Sequence, residues 1–86
     1  MNFQFLKYFS VLAEELHFGR AAEKLSITQP PLSAAIKNLE EELDVVLFTR
    51  TNKKVELTPE GAVFLKEARN ILDQTARAKS IVRAAK

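Results

Sequence analysis

The chain has no cysteine and no tryptophan, and only one histidine, two glycines and three prolines in 86 residues. Without cysteine there is no disulfide framework, no thiolate-ligated zinc or iron–sulfur cluster and no thiol nucleophile. A lone His17 excludes the paired-histidine spacings of zinc hydrolases, and nothing sets it beside a nucleophile or a carboxylate dyad at a mechanistic spacing. The residues therefore argue against an enzyme, and no metal or cofactor is expected in this domain. The longest apolar runs are four residues, as in Val45-Val46-Leu47-Phe48. That is far below the ~20 needed to cross a bilayer, and no charged head precedes an apolar block as in an export signal. No membrane partner is expected, and the cytoplasm is the default location.

Scarce glycine and proline, together with 47% hydrophobic residues, describe an ordered and mainly helical globule. The length allows one small domain, marginally stable unless chains associate. Lysine and arginine outnumber acids 13 to 11, a net charge of +2. That small excess is unevenly spread: residues 1–43 carry four basic and six acidic side chains, residues 44–86 nine basic and five acidic. Half of the first group's acids are Glu40, Glu41 and Glu42, read as a solvated face, so a basic surface can coexist with a nearly neutral chain.

Periodicity divides the chain. Phe5, Phe9, Leu12 and Leu16 recur at helical spacing, widened by Phe3, Leu6 and Ala13, which predicts a helix over about 3–15. A short helix fits Arg20 to Leu25, with Gly19 at the N-cap position and Ala21 and Ala22 small enough for close approach by another helix. After Ser26-Ile27, Thr28 is placed to cap a third helix whose first turn holds Pro30 and Pro31. Leu32, Ile36, Leu39 and Leu43 form its inner stripe, while Gln29, Ser33 and Lys37 fall on a different, polar face. Val45–Thr49 and Val55–Leu57 then read as two short strands around a polar turn, Asn52 taking a left-handed backbone. Thr58-Pro59-Glu60 starts a last helix that runs about 28 residues, roughly 40 Å, to Lys86.

A short helix, a three-residue turn and a longer helix with a polar outer face form a helix-turn-helix, with Ala22, Ser26 and Leu32 at its packing positions. The ribbon that follows carries Arg50, Lys53 and Lys54, which places cations beside the third helix where phosphates would lie. Gln29 suits adenine, Ser33 suits several base edges, Lys37 suits guanine or a phosphate, and Pro30, Pro31 or Ala34 suits a thymine methyl. For Lys37 the alternative is an i, i+4 pair with Glu41. Arg20 is read as a phosphate anchor, with Thr28 grouped among the backbone contacts. On the last helix Phe64, Ala68, Ile71, Thr75, Ala78, Val82 and Ala85 step by four and three, the seam of a two-helix coiled coil. Leu65 and Leu72 are free to face the domain. A zipper adaptor built on this helix is the competing class, and the cationic ribbon argues against it.

These residues resemble the N-terminal DNA-binding domain of LysR-type transcriptional regulators. The likeness lies in Leu6-Lys7-Tyr8-Phe9, Phe18-Gly19-Arg20-Ala21-Ala22-Glu23-Lys24-Leu25, Thr28-Gln29-Pro30-Pro31-Leu32-Ser33, Leu47-Phe48-Thr49-Arg50 and Leu57-Thr58-Pro59-Glu60-Gly61, in order along the whole chain. It implies a mainly α fold: a winged helix-turn-helix of three helices and a two-stranded β wing over residues 1–58, then a linker helix over 59–86 that pairs two chains. It also implies binding to double-stranded DNA as a homodimer, tetramers of the full-length regulator, and a separate effector-binding domain that takes a small-molecule inducer. Gln29, Pro30 and Ser33 carry over as base-proximal positions, and Arg50 with the following turn as the wing. Ala34 and Ala35 depart from the Arg or Gln of many relatives, and Gly19 from their Ser or Thr cap. The helix still running at Lys86 suggests a portion of a longer regulator.

Overall fold

Three of the four helices begin where a side-chain acceptor meets backbone N–H groups that have no partner within the helix. The computed structural model describes residues 1–86, in the order α1 (Phe3–Glu15), α2 (Phe18–Lys24), α3 (Gln29–Leu43), β1 (Phe48–Arg50), β2 (Val55–Leu57) and α4 (Pro59–Ala84). Asn2 caps α1 by accepting from the N–H groups of Gln4 and Phe5 at 2.8 and 3.3 Å. Thr58 caps α4, accepting from Gly61 N–H at 2.9 Å. The cap of α2 is His17, whose Nδ1 accepts from Arg20 N–H at 2.9 Å, so the helix starts two residues before Arg20 and Gly19 lies inside it rather than capping it. At α3 Thr28 occupies the cap position but makes no capping bond. The reason is chemical: a cap hydroxyl accepts from the second or third helical N–H, and here those residues are Pro30 and Pro31, which have none.

Left-handed residues end three helices. Leu16 (φ 50°) closes α1, and at 39% exposure it is a surface cap, not the inner-stripe residue its spacing predicts. Ser26 (φ 58°) turns the chain between α2 and α3, with Ile27 N–H bonding to Ala22 O and Ser26 N–H to Glu23 O, both at 3.0 Å. Asp44 (φ 55°) repeats the pattern after α3, bonding to Glu41 O while Val45 bonds to Glu40 O. The closures at Ser26 and Asp44 are Schellman motifs, whereas Leu16 makes the simpler single bond, its N–H to Leu12 O at 2.7 Å; each satisfies carbonyls at the end of its helix.

One core forms between the helices and the wing root. Phe9, fully buried, meets Phe48 of β1 with ring centroids 5.4 Å apart and Phe64 of α4 at 4.9 Å. Leu12, Leu32, Ile36, Leu39 and Leu47 are also fully buried, each contributing about 1.5–3 kcal/mol by leaving water. Ala21 and Ala22 are sealed where α2 meets its neighbours, as their size predicts. Leu43 is only half-buried.

The strands pair antiparallel with Phe48 opposite Leu57, Thr49 opposite Glu56 and Arg50 opposite Val55. β1 is shorter and later than the Val45–Thr49 run predicts. The register is the reason: Phe48 faces Leu57, the last residue before Thr58 caps α4, so residues 45–47 have no strand to pair with, and Glu40 Oε2 accepts from Leu47 N–H at 2.8 Å and Phe48 N–H at 3.4 Å. Glu40 therefore holds the entry to the wing instead of joining a solvated acidic face, and Glu42 receives the Met1 amine at 3.3 Å, leaving Glu41 exposed. The wing turn also closes differently: Asn52 is not left-handed, and Thr51 Oγ1 accepts from the N–H groups of Lys53 and Lys54 while Thr51 N–H bonds to Lys54 O.

Helix α4 has 26 residues and accounts for the elongated outline of 51 × 26 × 18 Å. Ala68 is fully buried within the protomer, and Leu65 and Leu72 pack on the core as predicted. Ala68 therefore belongs to the interior rather than to a seam between chains. Phe64, half-buried with its ring on Phe9, is largely committed to the same interior. Ile71 (43% exposed) and Val82 (70%) remain outside, with Thr75, whose hydroxyl donates to Ile71 O at 2.9 Å, half-buried between them and Ala78 exposed.

Candidate nucleic-acid interface

The inner side of α3 is filled by Leu32, Ala35, Ile36 and Leu39, which turns the opposite side outward. Gln29, Pro30, Pro31, Ala34 and Lys37 are exposed there, with Ser33 half-buried at the edge. Ala35 faces the core at full burial, so its small side chain serves packing and no base contact is lost at that position. Lys37 has no ion-pair partner; among the five pairs in the chain none includes Glu41. Because Pro30 and Pro31 have no N–H, Gln29 N–H stands at the tip of α3 as a donor without a helical partner, and the exposed Thr28 hydroxyl has no capping task.

A polar cleft separates the start of α2 from the wing. Its lining includes His17, Gly19, Arg20, Gln29, Thr51, Asn52, Lys53 and Lys54, so it brings together predicted positions from three separate segments. A Cβ at Gly19 would stand 2.9 Å from Cε1 of the exposed His17 ring, which would have to shift, and in ordinary contact, 3.6 Å, with Gln29 Nε2.

The cations around this cleft differ in their partners. Arg20 bonds to Glu15 twice, Nε to Oε1 at 3.4 Å and Nη2 to the backbone oxygen at 3.1 Å. Lys24 bonds to the other Glu15 oxygen at 2.9 Å. That hydrogen bond, reinforced by the Lys24 and Arg20 charges, holds the Glu15 carboxyl below its usual range and raises Lys24 in turn. Lys54 pairs with Glu56 at 2.9 Å and is raised by that bond. Arg50 and Lys53 have no acidic partner. Arg50 instead lies over the Phe18 ring, its Cζ 4.3 Å from the ring centre.

Sequence reasoning misses His17, Glu15 and Phe18. The distance from His17 to Arg20 is the cap-to-third-residue spacing, a usable signal. The reach from Glu15 to Lys24 and from Phe18 to Arg50 depends on tertiary packing and leaves no local trace.

A helix-turn-helix with a cationic wing is shared by several families, and sequence similarity decides among them. The family model described as "Bacterial regulatory helix-turn-helix protein, lysR family" matches residues 3–62. The chain belongs to the LysR family. The regulator AlsR of Bacillus subtilis is 54% identical over 74 residues, which cover 86% of this chain and 24% of AlsR. ClcR of Pseudomonas putida is 47% identical over 85 residues, 99% of this chain and 29% of ClcR. The chain thus spans about a quarter of the length of the curated relatives it matches. Among solved structures, the CbnR DNA-binding domain in complex with DNA superposes with a TM-score of 0.95 at 41% identity, covering 99% of this chain and 98% of that one. The BenM DNA-binding domain on its catB site gives 0.94 at 41% identity, covering 99% and 96%. The chain carries the winged DNA-binding domain of a LysR-type regulator, with the long C-terminal helix, and its relatives are regulators and not enzymes.

Proposed function

We propose that two copies of this chain read an interrupted palindrome in double-stranded DNA, with residues 1–58 as the reading unit and 59–86 joining the copies. The carrying observation is that the exposed face of α3 from Gln29 to Lys37 adjoins the wing cleft while its other face is sealed in the core. In this reading α3 enters the major groove. Gln29, Ser33 and Lys37 meet base edges, and Pro30, Pro31 and Ala34 make apolar contacts. Arg20, Thr28, Arg50, Lys53 and Lys54 hold phosphates or the minor groove. Two such units joined by α4 fit half-sites about 34 Å apart or a multiple of it.

The outward side of α4 supports the pairing role, since Ile71, Ile81 and Val82 are exposed apolar residues with no partner in the protomer. No helix is long and apolar enough to cross a membrane, in keeping with a regulator acting on DNA in the cytoplasm. In the same reading, the full-length regulator assembles as a tetramer and a further domain takes a small-molecule inducer.

Fluorescence anisotropy on palindromic and mixed-sequence duplexes tests the reading. Gln29→Ala should lose about 1–3 kcal/mol on the preferred site and little on mixed sequence. Lys53→Ala should weaken both alike and reduce the salt slope by about one, more than Lys54→Ala, whose cation is shared with Glu56. Equal affinity of the parent for both duplexes would end the claim of specificity. For the pairing role, Val82→Asp should convert a sedimenting dimer to monomer while leaving the thermal melt of the monomer unchanged. A dimer that survives this change places the interface elsewhere.

A further inference from the structure

Side chains alternate along β1, so Arg50 shares the side of buried Phe48 and turns toward α2. There its guanidinium lies on the face of Phe18, the first residue of α2. Phe18 is half-buried and packed against the core, which makes its ring a fixed surface. Arg50 differs in this from the other cations of the cleft. Arg20 and Lys54 are oriented by carboxylates that also neutralise them, whereas Arg50 is oriented by a ring that leaves its charge intact. With its Cζ seated over the ring and no carboxylate partner, the guanidinium keeps N–H donors available for a planar, bidentate acceptor such as a phosphate.

We propose that Phe18 is a positioning residue for DNA binding: its ring holds Arg50 so that the guanidinium edge meets a backbone phosphate beside the cleft between α2 and the wing. The proposal rests on the reading of Arg50 as a phosphate contact and adds the means by which that contact is prepared. An arginine free in solvent must lose rotamer freedom on binding DNA, and one already stacked loses less.

The test is affinity for a long mixed-sequence duplex across a salt series. Phe18→Leu keeps an apolar side chain and removes the ring; it should bind about two- to five-fold more weakly. Its salt slope should match the parent, because the Arg50 charge remains. Phe18→Tyr should restore parent affinity. Arg50→Ala should weaken binding and lower the slope by about one. Adding Phe18→Leu to Arg50→Ala should then cost nothing further. If Phe18→Leu weakens binding equally with and without Arg50, the ring serves only the fold and the proposal fails, although Arg50→Ala still shows its own loss. If Arg50→Ala binds like the parent, the Arg50 reading falls and takes the proposal with it. Should Phe18→Leu be unfolded in the assay, Arg50→Lys makes the test from the other side. Keeping the charge without the flat stacking face, it should lose the same two- to five-fold at unchanged slope, and parent-like binding would overturn the proposal.

Discussion

The two halves of α4 have much the same apolar periodicity and opposite surroundings. From Gly61 to Leu72 one face of the helix is interior: Gly61 and Ala68 are buried, and Phe64, Leu65 and Leu72 pack on the core of the same protomer. Beyond Leu72 every residue except Thr75 is exposed, including Ile81 at 58% and Val82 at 70%. A stretch of about twelve residues that packs on nothing is only marginally helical in water. An apolar seam read from spacing alone therefore merges two surfaces, one satisfied within the chain and one that a second chain could cover. The polar groups divide the same way. Near the core, Glu15, Glu40 and Thr58 each hold partners from another segment, whereas the outer half offers only the local bond from Thr75 to Ile71.

The sharpest way to break this contrast is at Gly61. A Cβ there would be driven into the Leu47 carbonyl oxygen and stand 2.8 Å from Leu57 Cδ2, so the helix start, the wing entry and β2 would all have to move. Helix propensity favours alanine over glycine by about 1 kcal/mol. Backbone overlap overrides it, and Gly61→Ala should destabilise by about 3 kcal/mol in urea unfolding. A stabilised variant would mean that α4 is not seated against the wing root. A matched pair then compares the halves directly. Ala68→Leu forces a large side chain into a sealed core position and should cost about 1–3 kcal/mol, whereas Ala78→Leu on the exposed half should change protomer stability by less than about 0.5 kcal/mol. Equal losses at the two sites would show that the outer half is also packed within the protomer.

How much of this was legible depends on whether the cause is local. The helices follow from spacing, and the close approach at Ala21 and Ala22 follows from side-chain size, because both act within one or two turns. The missing cap bond at Thr28 is equally local, since two prolines remove the donors wherever the chain goes. Glu40 lies in between. It follows buried Leu39 and stands four residues after buried Ile36, on the border of the inner stripe, yet only the fold brings Leu47 N–H to it. Val45–Leu47 is not strand despite its β-branched composition because its would-be partner, beyond Leu57, is already the cap of α4. On the DNA-facing side, the positions of Gln29 and Lys37 are set by helical geometry and were readable. The state of each cation was not, because Glu15 and Phe18 act across separate elements.

The smallest expected effect concerns Glu15, the clearest case of a core-side polar group with partners from another helix. Its carboxyl is held below the ordinary value of 4.5, first by the hydrogen bond from Lys24 and then by the Lys24 and Arg20 charges, against some desolvation. A carboxylate with a depressed folded-state pKa adds stability that is present above the unfolded value and is lost as pH falls through the folded one. The contribution is thus complete at neutral pH and disappears below 4.5, on the acid side only. Both cations lie at the surface, so the effect on the melting temperature is small and falls with added salt. Comparing melts of the parent and Glu15→Gln from neutral pH down to about pH 3 should show curves that are separated at neutral pH and converge in acid. Curves that stay parallel throughout would mean that Glu15 acts through packing alone, and that the ordering of Arg20 and Lys24 contributes nothing to holding α2 on α1.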